Sequence, residues 1–267
     1  MRDITLGQFV AGNSIVHRLD PRTKIGIMIL YIVMTFLVKQ LYFLAIPLAF
    51  LLMGLLLSRI SLRYIWTSLK PVRVLLIFMF FLNLIFTKGE TVLLDLKFWK
   101  LTLEALLQSV FLTVRIVLLV AGASMLTLTT SPIALTDGIE RLLAPLKVLH
   151  FPSHELAMMM TIALRFIPTL MDESDKIRSA QMARGADFES GNLITRVKSL
   201  IPILIPLFVS SFRKADDLAI AMESRCYHGG DGRTRMHQLK FALPDLFAVL
   251  ITLSFIAALV LILILIP

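Results

Sequence analysis

The chain has 267 residues, 57% of them hydrophobic, and a formal net charge of +9. Soluble domains are about 45–50% apolar, so the composition excludes an ordinary soluble globule and indicates an integral membrane protein. The excess of Lys and Arg fits the basic cytoplasmic loops of such proteins better than a nucleic-acid surface, and the single cysteine, Cys226, excludes an intrachain disulfide framework.

The first 24 residues are polar and charged and lack the basic-then-apolar layout of a signal peptide. Insertion therefore rests on internal segments. A spanning helix needs about 20 mostly apolar residues. Ile25–Val38 is the first candidate, short enough to borrow from its flanks; a polar break at Lys39-Gln40 leads into the second, Leu41–Leu57. Val72–Phe86 is the third. Leu103–Leu128 is the fourth, interrupted by Gln108 and Arg115, and Leu243–Ile266 is the fifth. Residues 1–131 thus form four spans, 132–240 a polar helical region, and 241–267 the last span. The expected fold class is an all-α integral membrane protein with about five transmembrane helices and three long cytoplasmic or interfacial helices.

Orientation follows from the basic residues between spans. Arg2, Arg18, Arg22 and Lys24 precede the first span, and Arg59, Arg63, Lys70 and Arg73 lie between the second and third. Lys39 alone separates the first two, while Lys88, Lys97 and Lys100 after the third are diluted by Glu90 and Asp95. The bias puts the N-terminus inside and the C-terminus outside. Arg115 is a charge within a span. Such charges are functional by default, but pairing inside the bundle with Glu104 or Gln108 is the structural alternative.

Three helices are expected between Pro132 and Lys240. The first runs over Ile133–Leu149, broken by Pro145. The second starts after Pro152 with Ser153 as its cap and runs to Arg184. The third runs from Leu193 to Arg225, with Pro202 and Pro206 near its start. Gly185 and Gly229-Gly230 supply the stops. The second and third resemble each other at an offset of 41: Asp175 aligns with Asp216, Ile177 with Leu218, Ala180 with Ala221, and Arg184 with Arg225. Met159, Ala163, Phe166, Leu170, Ile177, Gln181 and Arg184 share one face by three- and four-residue spacing. So do Leu204, Phe208, Ser211, Ala215, Leu218, Met222 and Arg225. Asp172 with Lys176, and Arg213 with Asp217, have the spacing of supporting ion pairs.

Each of these two helices closes on a tripeptide, Ala183-Arg184-Gly185 or Ser224-Arg225-Cys226. An arginine at a helix end is favoured by the helix dipole or by lipid headgroups. It also suits an acidic groove on a soluble partner, because its planar fork pairs with carboxylates in two-pronged fashion; the small Ala183 or Ser224 lets the helix end approach closely. No phosphate-binding glycine loop is present. His154-Glu155 begins like a zinc-protease motif, but Met158 stands where the second histidine belongs. Cys226 and His228 are close in sequence but separated by a helix stop. Met158-Met159-Met160, Met171 and Met182 enrich the second helix in side chains that fill cores and adapt to several partners.

The run from Leu143-Ala144-Pro145-Leu146 through Ile162-Ala163-Leu164-Arg165-Phe166-Ile167-Pro168 to Ala180-Gln181-Met182-Ala183-Arg184-Gly185 resembles the T component of energy-coupling factor transporters. So do Leu19-Asp20-Pro21-Arg22-Thr23-Lys24 and the stretch from Pro202 and Pro206 to Ala219-Ile220-Ala221-Met222-Glu223-Ser224-Arg225-Cys226-Tyr227. The resemblance implies a non-catalytic scaffold in a bacterial plasma membrane, part of an ATP-driven importer of vitamins and other micronutrients. It implies two ABC-type ATPase partners, which hold ATP and Mg, and a separate substrate-binding membrane subunit, with no cofactor or metal on this chain and no nucleic-acid partner. Ala183, Arg184, Gly185, Ser224, Arg225 and Cys226 would dock the ATPases. Met159, Ala163, Phe166, Leu170, Leu204, Phe208 and Ser211 would hold the substrate-binding subunit. The second tripeptide is usually close to Ala-Arg-Gly, and Cys226 lacks the freedom of glycine, so the second helix end is expected to differ from the first. The alternative function is a permease subunit of a conventional ATP-driven transporter with its own solute pathway.

Overall fold

The computed structural model describes residues 9–89, 91–96, 99–145, 152–188, 192–229 and 239–265. Arg2, Glu90, Lys97, Leu146, Leu149, Gly230 and Ile266, which enter the sequence reading, lie outside them. The described helices are α1 (Ile15–Arg18), α2 (Pro21–Leu37), α3 (Ala45–Ser58, entered through a tight turn at Leu41–Leu44), α4 (Leu62–Leu69), α5 (Arg73–Phe86), α6 (Leu103–Thr129), α7 (Pro132–Leu143), α8 (Ser153–Ala183), α9 (Leu193–Ser199), α10 (Ile201–Glu223) and α11 (Leu243–Leu265). Between α5 and α6, β1 (Val92–Leu96) and β2 (Trp99–Thr102) form an antiparallel pair. Two compact units result. One holds the described residues up to 138 together with 239–265, and the other those from 139 to 229.

Apolar helices occupy all five expected spans. Among the described residues, three are long and apolar enough to cross a membrane: Leu41–Ser58, Leu103–Thr129 and Leu243–Leu265. Helix α2 has 17 residues, about 25 Å of rise against roughly 30 Å of hydrocarbon, which is the shortness that the sequence showed. The expected third span, Val72–Phe86, is α5 (Arg73–Phe86), which alone is short for a span; α4 precedes it across a short break with a bend of 64°. The break falls at Lys70-Pro71, where proline has no N–H for the helix ladder, although Lys70 itself keeps a helical backbone.

The core of the first unit gathers Tyr31, Met34, Val38, Leu51, Leu55, Leu118, Ala121, Leu128 and Leu259 from α2, α3, α6 and α11. Tyr31 is central. Its ring stacks on Phe50 with centroids 5.8 Å apart, Phe50 meets Phe255 edge-on at 5.4 Å, and its hydroxyl donates to the Leu118 carbonyl at 3.1 Å. Gly122 makes room for that ring, since a Cβ there would stand 2.5 Å from Tyr31 Cε1.

Polar side chains in this unit serve helix ends. Asp20 caps α2 by accepting from the Arg22 N–H at 2.9 Å, with Pro21 at the first helical position. Asp245, at the start of α11, accepts from the Asp20 N–H and the Ala242 N–H, both at 2.8 Å. Lys24 Nζ donates to the Thr129 carbonyl at the end of α6 and to the His17 carbonyl of α1, both at 3.0 Å. These buried groups tie α1, α2, α6 and α11 together, although the segments are up to 225 residues apart in sequence. Arg115 does not pair with Glu104 as the sequence suggested. It donates to the carbonyl of Val38, the C-cap of α2, with its guanidinium 4.3 Å from the Phe111 ring centre. Glu104 instead accepts from the Thr91 hydroxyl at 2.7 Å. A cation at a helix C-terminus meets the negative end of the dipole, which explains a charge in an apolar span without invoking a solute.

Removing the Asp245 carboxylate would leave two backbone N–H groups without their acceptor, and unsatisfied buried donors cost about 1–3 kcal/mol each. Asp245→Ala should therefore lower the melting temperature of the detergent-solubilised chain by several degrees, whereas Asp175→Ala, on an exposed helix face, should leave it nearly unchanged.

Candidate functional site

The site is built on α8 and α10 within the second unit. Helix α8 runs unbroken for 31 residues, through Pro168. Its N-cap is Pro152, not Ser153, which is already helical and buried; the Leu156 N–H bonds to the Pro152 carbonyl at 3.1 Å. The expected third helix is two helices. It breaks at Leu200, whose N–H turns back to the Val197 carbonyl at 3.2 Å, and α10 restarts with Pro202 in its first turn, where a missing N–H costs nothing. Pro206 is accommodated within α10. Helix α7 ends at Leu143, two residues before Pro145.

The two helix ends carry the same pair of cap bonds. At the end of α8 the Gly185 N–H bonds to the Met182 carbonyl at 3.0 Å, and the Ala186 N–H to the Gln181 carbonyl at 3.0 Å. At the end of α10 the Cys226 N–H bonds to the Glu223 carbonyl at 2.9 Å, and the Tyr227 N–H to the Met222 carbonyl at 3.0 Å. Every donor and acceptor corresponds at the 41-residue offset, and both ends are Schellman caps. The expectation that Cys226 makes the second end different is corrected. Cys226 adopts the left-handed conformation with φ of 59°, as Gly185 does with φ of 86°, because the two cap bonds outweigh the cost of a Cβ in that region. Both tripeptides are exposed. Ser224 Oγ donates to the Ala221 carbonyl at 3.0 Å. Among the described residues neither the Arg184 nor the Arg225 guanidinium has a hydrogen-bond or ion-pair partner.

The repeat extends into burial. Ile162 and Ile203, Phe166 and Leu207, Leu170 and Ser211, Glu173 and Lys214, Ile177 and Leu218, and Gln181 and Met222 are each 41 apart, and every member is at least half-buried. Their spacing of three and four residues defines one face on each helix. Glu173 and Lys214 form a direct ion pair. Hydrogen bonds from Lys214 and then Ser210 hold the Glu173 carboxyl below its usual range, so the pair is intact at neutral pH and is lost only as acidity takes that carboxyl through its lowered value.

Of the residues expected to hold a membrane partner, Met159, Ala163, Leu204 and Phe208 are exposed, while Phe166, Leu170 and Ser211 are half-buried on the inner face. The sequence reading did not separate these two groups, and it missed Ile201, Ile205 and Phe212, which extend the exposed apolar strip of α10. His154 pairs with Glu140 at 3.1 Å, and among the described residues no cluster of His, Cys, Asp and Glu has the geometry of a metal site. In the first unit, a crevice of about 490 Å³ is lined by apolar side chains such as Met28, Phe50, Met125 and Ile251, with Lys24, Tyr31, Thr129 and Thr252 as its polar-bearing residues.

Residues 12–237 match the family model CbiQ, described as a cobalt transport protein. The chain is 54% identical over 252 residues to the energy-coupling factor transporter transmembrane protein EcfT of Thermosediminibacter oceani, covering 94% of this chain and 95% of that one. It is 54% identical over 254 residues to the EcfT of Clostridium kluyveri, covering 95% and 94%. Against the EcfT of Lactococcus lactis it is 48% identical over 245 residues, with 92% of each chain covered.

The caps carry a measurable difference. A Cβ at Gly185 would meet nothing within 4 Å, so Gly185→Ala adds only the left-handed penalty, about 1 kcal/mol. It should speed hydrogen exchange at the Ala186 amide roughly fivefold, and Cys226→Gly should slow exchange at the Tyr227 amide by a similar factor.

Proposed function

The chain belongs to the EcfT family of energy-coupling factor transporter transmembrane proteins, and on that premise we propose that it is the non-catalytic scaffold that couples two ATPase subunits to a separate substrate-binding membrane subunit. The observation that carries this reading is the pair of matching helix ends. Each presents an exposed arginine on a capped, rigid tip, which suits two like acidic grooves on two like partners. Arg184 and Arg225 make the contacts. Ala183 and Ser224 keep the approach clear, and Gly185 and Cys226 close the caps. ATP and Mg belong to the ATPases, and this chain hydrolyses no nucleotide itself.

The substrate-binding subunit docks on the exposed apolar residues of the same helices: Met159 and Ala163 on α8, and Leu204 and Phe208 on α10. Contiguous exposed apolar surface of this kind marks protein or membrane contact. Phe166, Leu170 and Ser211 back this surface from the inner face. The solute is a micronutrient of the vitamin class and has its site on the substrate-binding subunit. In this reading the chain lies in a bacterial plasma membrane, with the N-terminus and the arginine tips cytoplasmic and the C-terminus outside. The apolar lining of the crevice in the first unit suits an acyl chain or an apolar helix better than a charged solute, which favours a scaffold over a permease with its own pathway.

Removing one partner of a buried charged contact typically costs about 2–5 kcal/mol. Purified from its native membrane under gentle conditions, the chain should retain two P-loop ATPases. Arg184→Ala or Arg225→Ala alone should weaken retention, and the double variant should lose both ATPases while keeping its elution profile. A native chain that retains no ATPase would overturn the coupling role; retention by the double variant would remove the arginines from it.

A further inference from the structure

Helices α8 and α10 pack on each other, and the burial pattern gives both the same inner face. Two bodies that meet through the same face are related by a two-fold operation, as in an isologous dimer interface. A residue that touches its own equivalent lies on or beside the axis of that operation. Glu173 and Lys214 are such equivalents, 41 positions apart, and they touch.

We propose that the Glu173–Lys214 pair is the pivot of a local pseudo-two-fold axis relating α8 to α10, and that it sets the separation of the two arginine tips. A true two-fold would bring identical residues together there, so either two glutamates or two lysines would repel. Opposite charges stand here instead; they also stand at the flanking equivalents Asp172 and Arg213, and Lys176 and Asp217, but those are exposed, whereas Glu173 and Lys214 touch. From the pivot, Arg184 and Arg225 each lie eleven residues further along, about 16 Å of helix on either arm. The two arms are thus of equal length from the pivot. Ser210, one turn before Lys214, helps to keep the Glu173 carboxyl below its usual range.

The inference deepens the coupling reading, because equal arms fit a partner whose two acidic sites are themselves related by a two-fold axis. Partly exposed ion pairs contribute little to stability, so the pair's role is geometric and the test reads geometry. Spin labels are placed on Cys226 and on Gly185→Cys in the full chain reconstituted in lipid nanodiscs, and the distance between them is measured by pulsed dipolar spectroscopy. One narrow distribution is expected. Glu173→Lys and Lys214→Glu should each shift and broaden it, and the exchanged double variant Glu173→Lys/Lys214→Glu should restore it. Distances unmoved by the single reversals, or a double variant as broad as either single, would overturn the pivot. The measurement needs no ATPase. Failure of the coupling role would therefore show as absent ATPase retention with the distances behaving as stated, and failure of the pivot as the reverse.

Discussion

Backbone groups at helix ends have no partner within the helix, and a lipid environment offers no water to replace one. That constraint organises the first unit. Asp20, Asp245, Lys24 and Arg115 are expensive to bury in an apolar chain, yet each is spent on a helix terminus. The hydroxyls within the spans obey the same rule: Thr35, Ser109, Ser124 and Thr252 all donate to the carbonyl four residues earlier. Polar chemistry in this unit is therefore architectural. It joins the N-terminal segment to α6 and α11, and it leaves the crevice beside them apolar.

The second unit meets the same constraint chiefly through its backbone, with Ser224 Oγ adding a bond to the Ala221 carbonyl. The last carbonyls of α8 and α10 are satisfied by backbone N–H groups of the two Schellman caps. An arginine at a helix C-terminus commonly serves as the cap itself. Here that duty is already discharged, so Arg184 and Arg225 are not needed to end their helices. This distinguishes them from Arg115, whose guanidinium is consumed by the end of α2. Two arginines relieved of structural work stand on ends with matching cap bonds, which is what the proposed docking requires.

Much of this was legible in the sequence. The five apolar segments, the long α8, the stop at Gly185 and the pairing of Arg184 with Arg225 all follow from hydropathy, glycine placement and the 41-residue offset. The misses have physical causes. The bend between α4 and α5 depends on where the chain turns after Pro71, and a proline marks a boundary without giving its angle. The partner of Arg115 is a backbone carbonyl on another helix, and a carbonyl carries no signature in sequence. The left-handed Cys226 is residue preference overridden by local backbone cap bonds that any residue with an N–H can form. On α8 and α10, helical spacing found faces but could not distinguish the inner face from the exposed strip, since both are apolar.

The internal repeat of α8 and α10 is faint in residue identity and strong in burial. That contrast follows from what each position must do. Identity is needed only where a specific chemistry recurs, as at the two arginines. An inner face requires only apolar bulk at the right turn, so Phe166 and Leu207, or Ile177 and Leu218, serve equally well. A cap requires only a backbone able to turn, so glycine and cysteine both suffice. At the junction identity would be harmful, because like charges would meet, and there the two helices carry Glu173 and Lys214. A repeat under these requirements keeps its geometry while its letters diverge; charge also reverses at the exposed equivalents Asp172 and Arg213, and Lys176 and Asp217, but Glu173 and Lys214 are the equivalents that form an ion pair with each other.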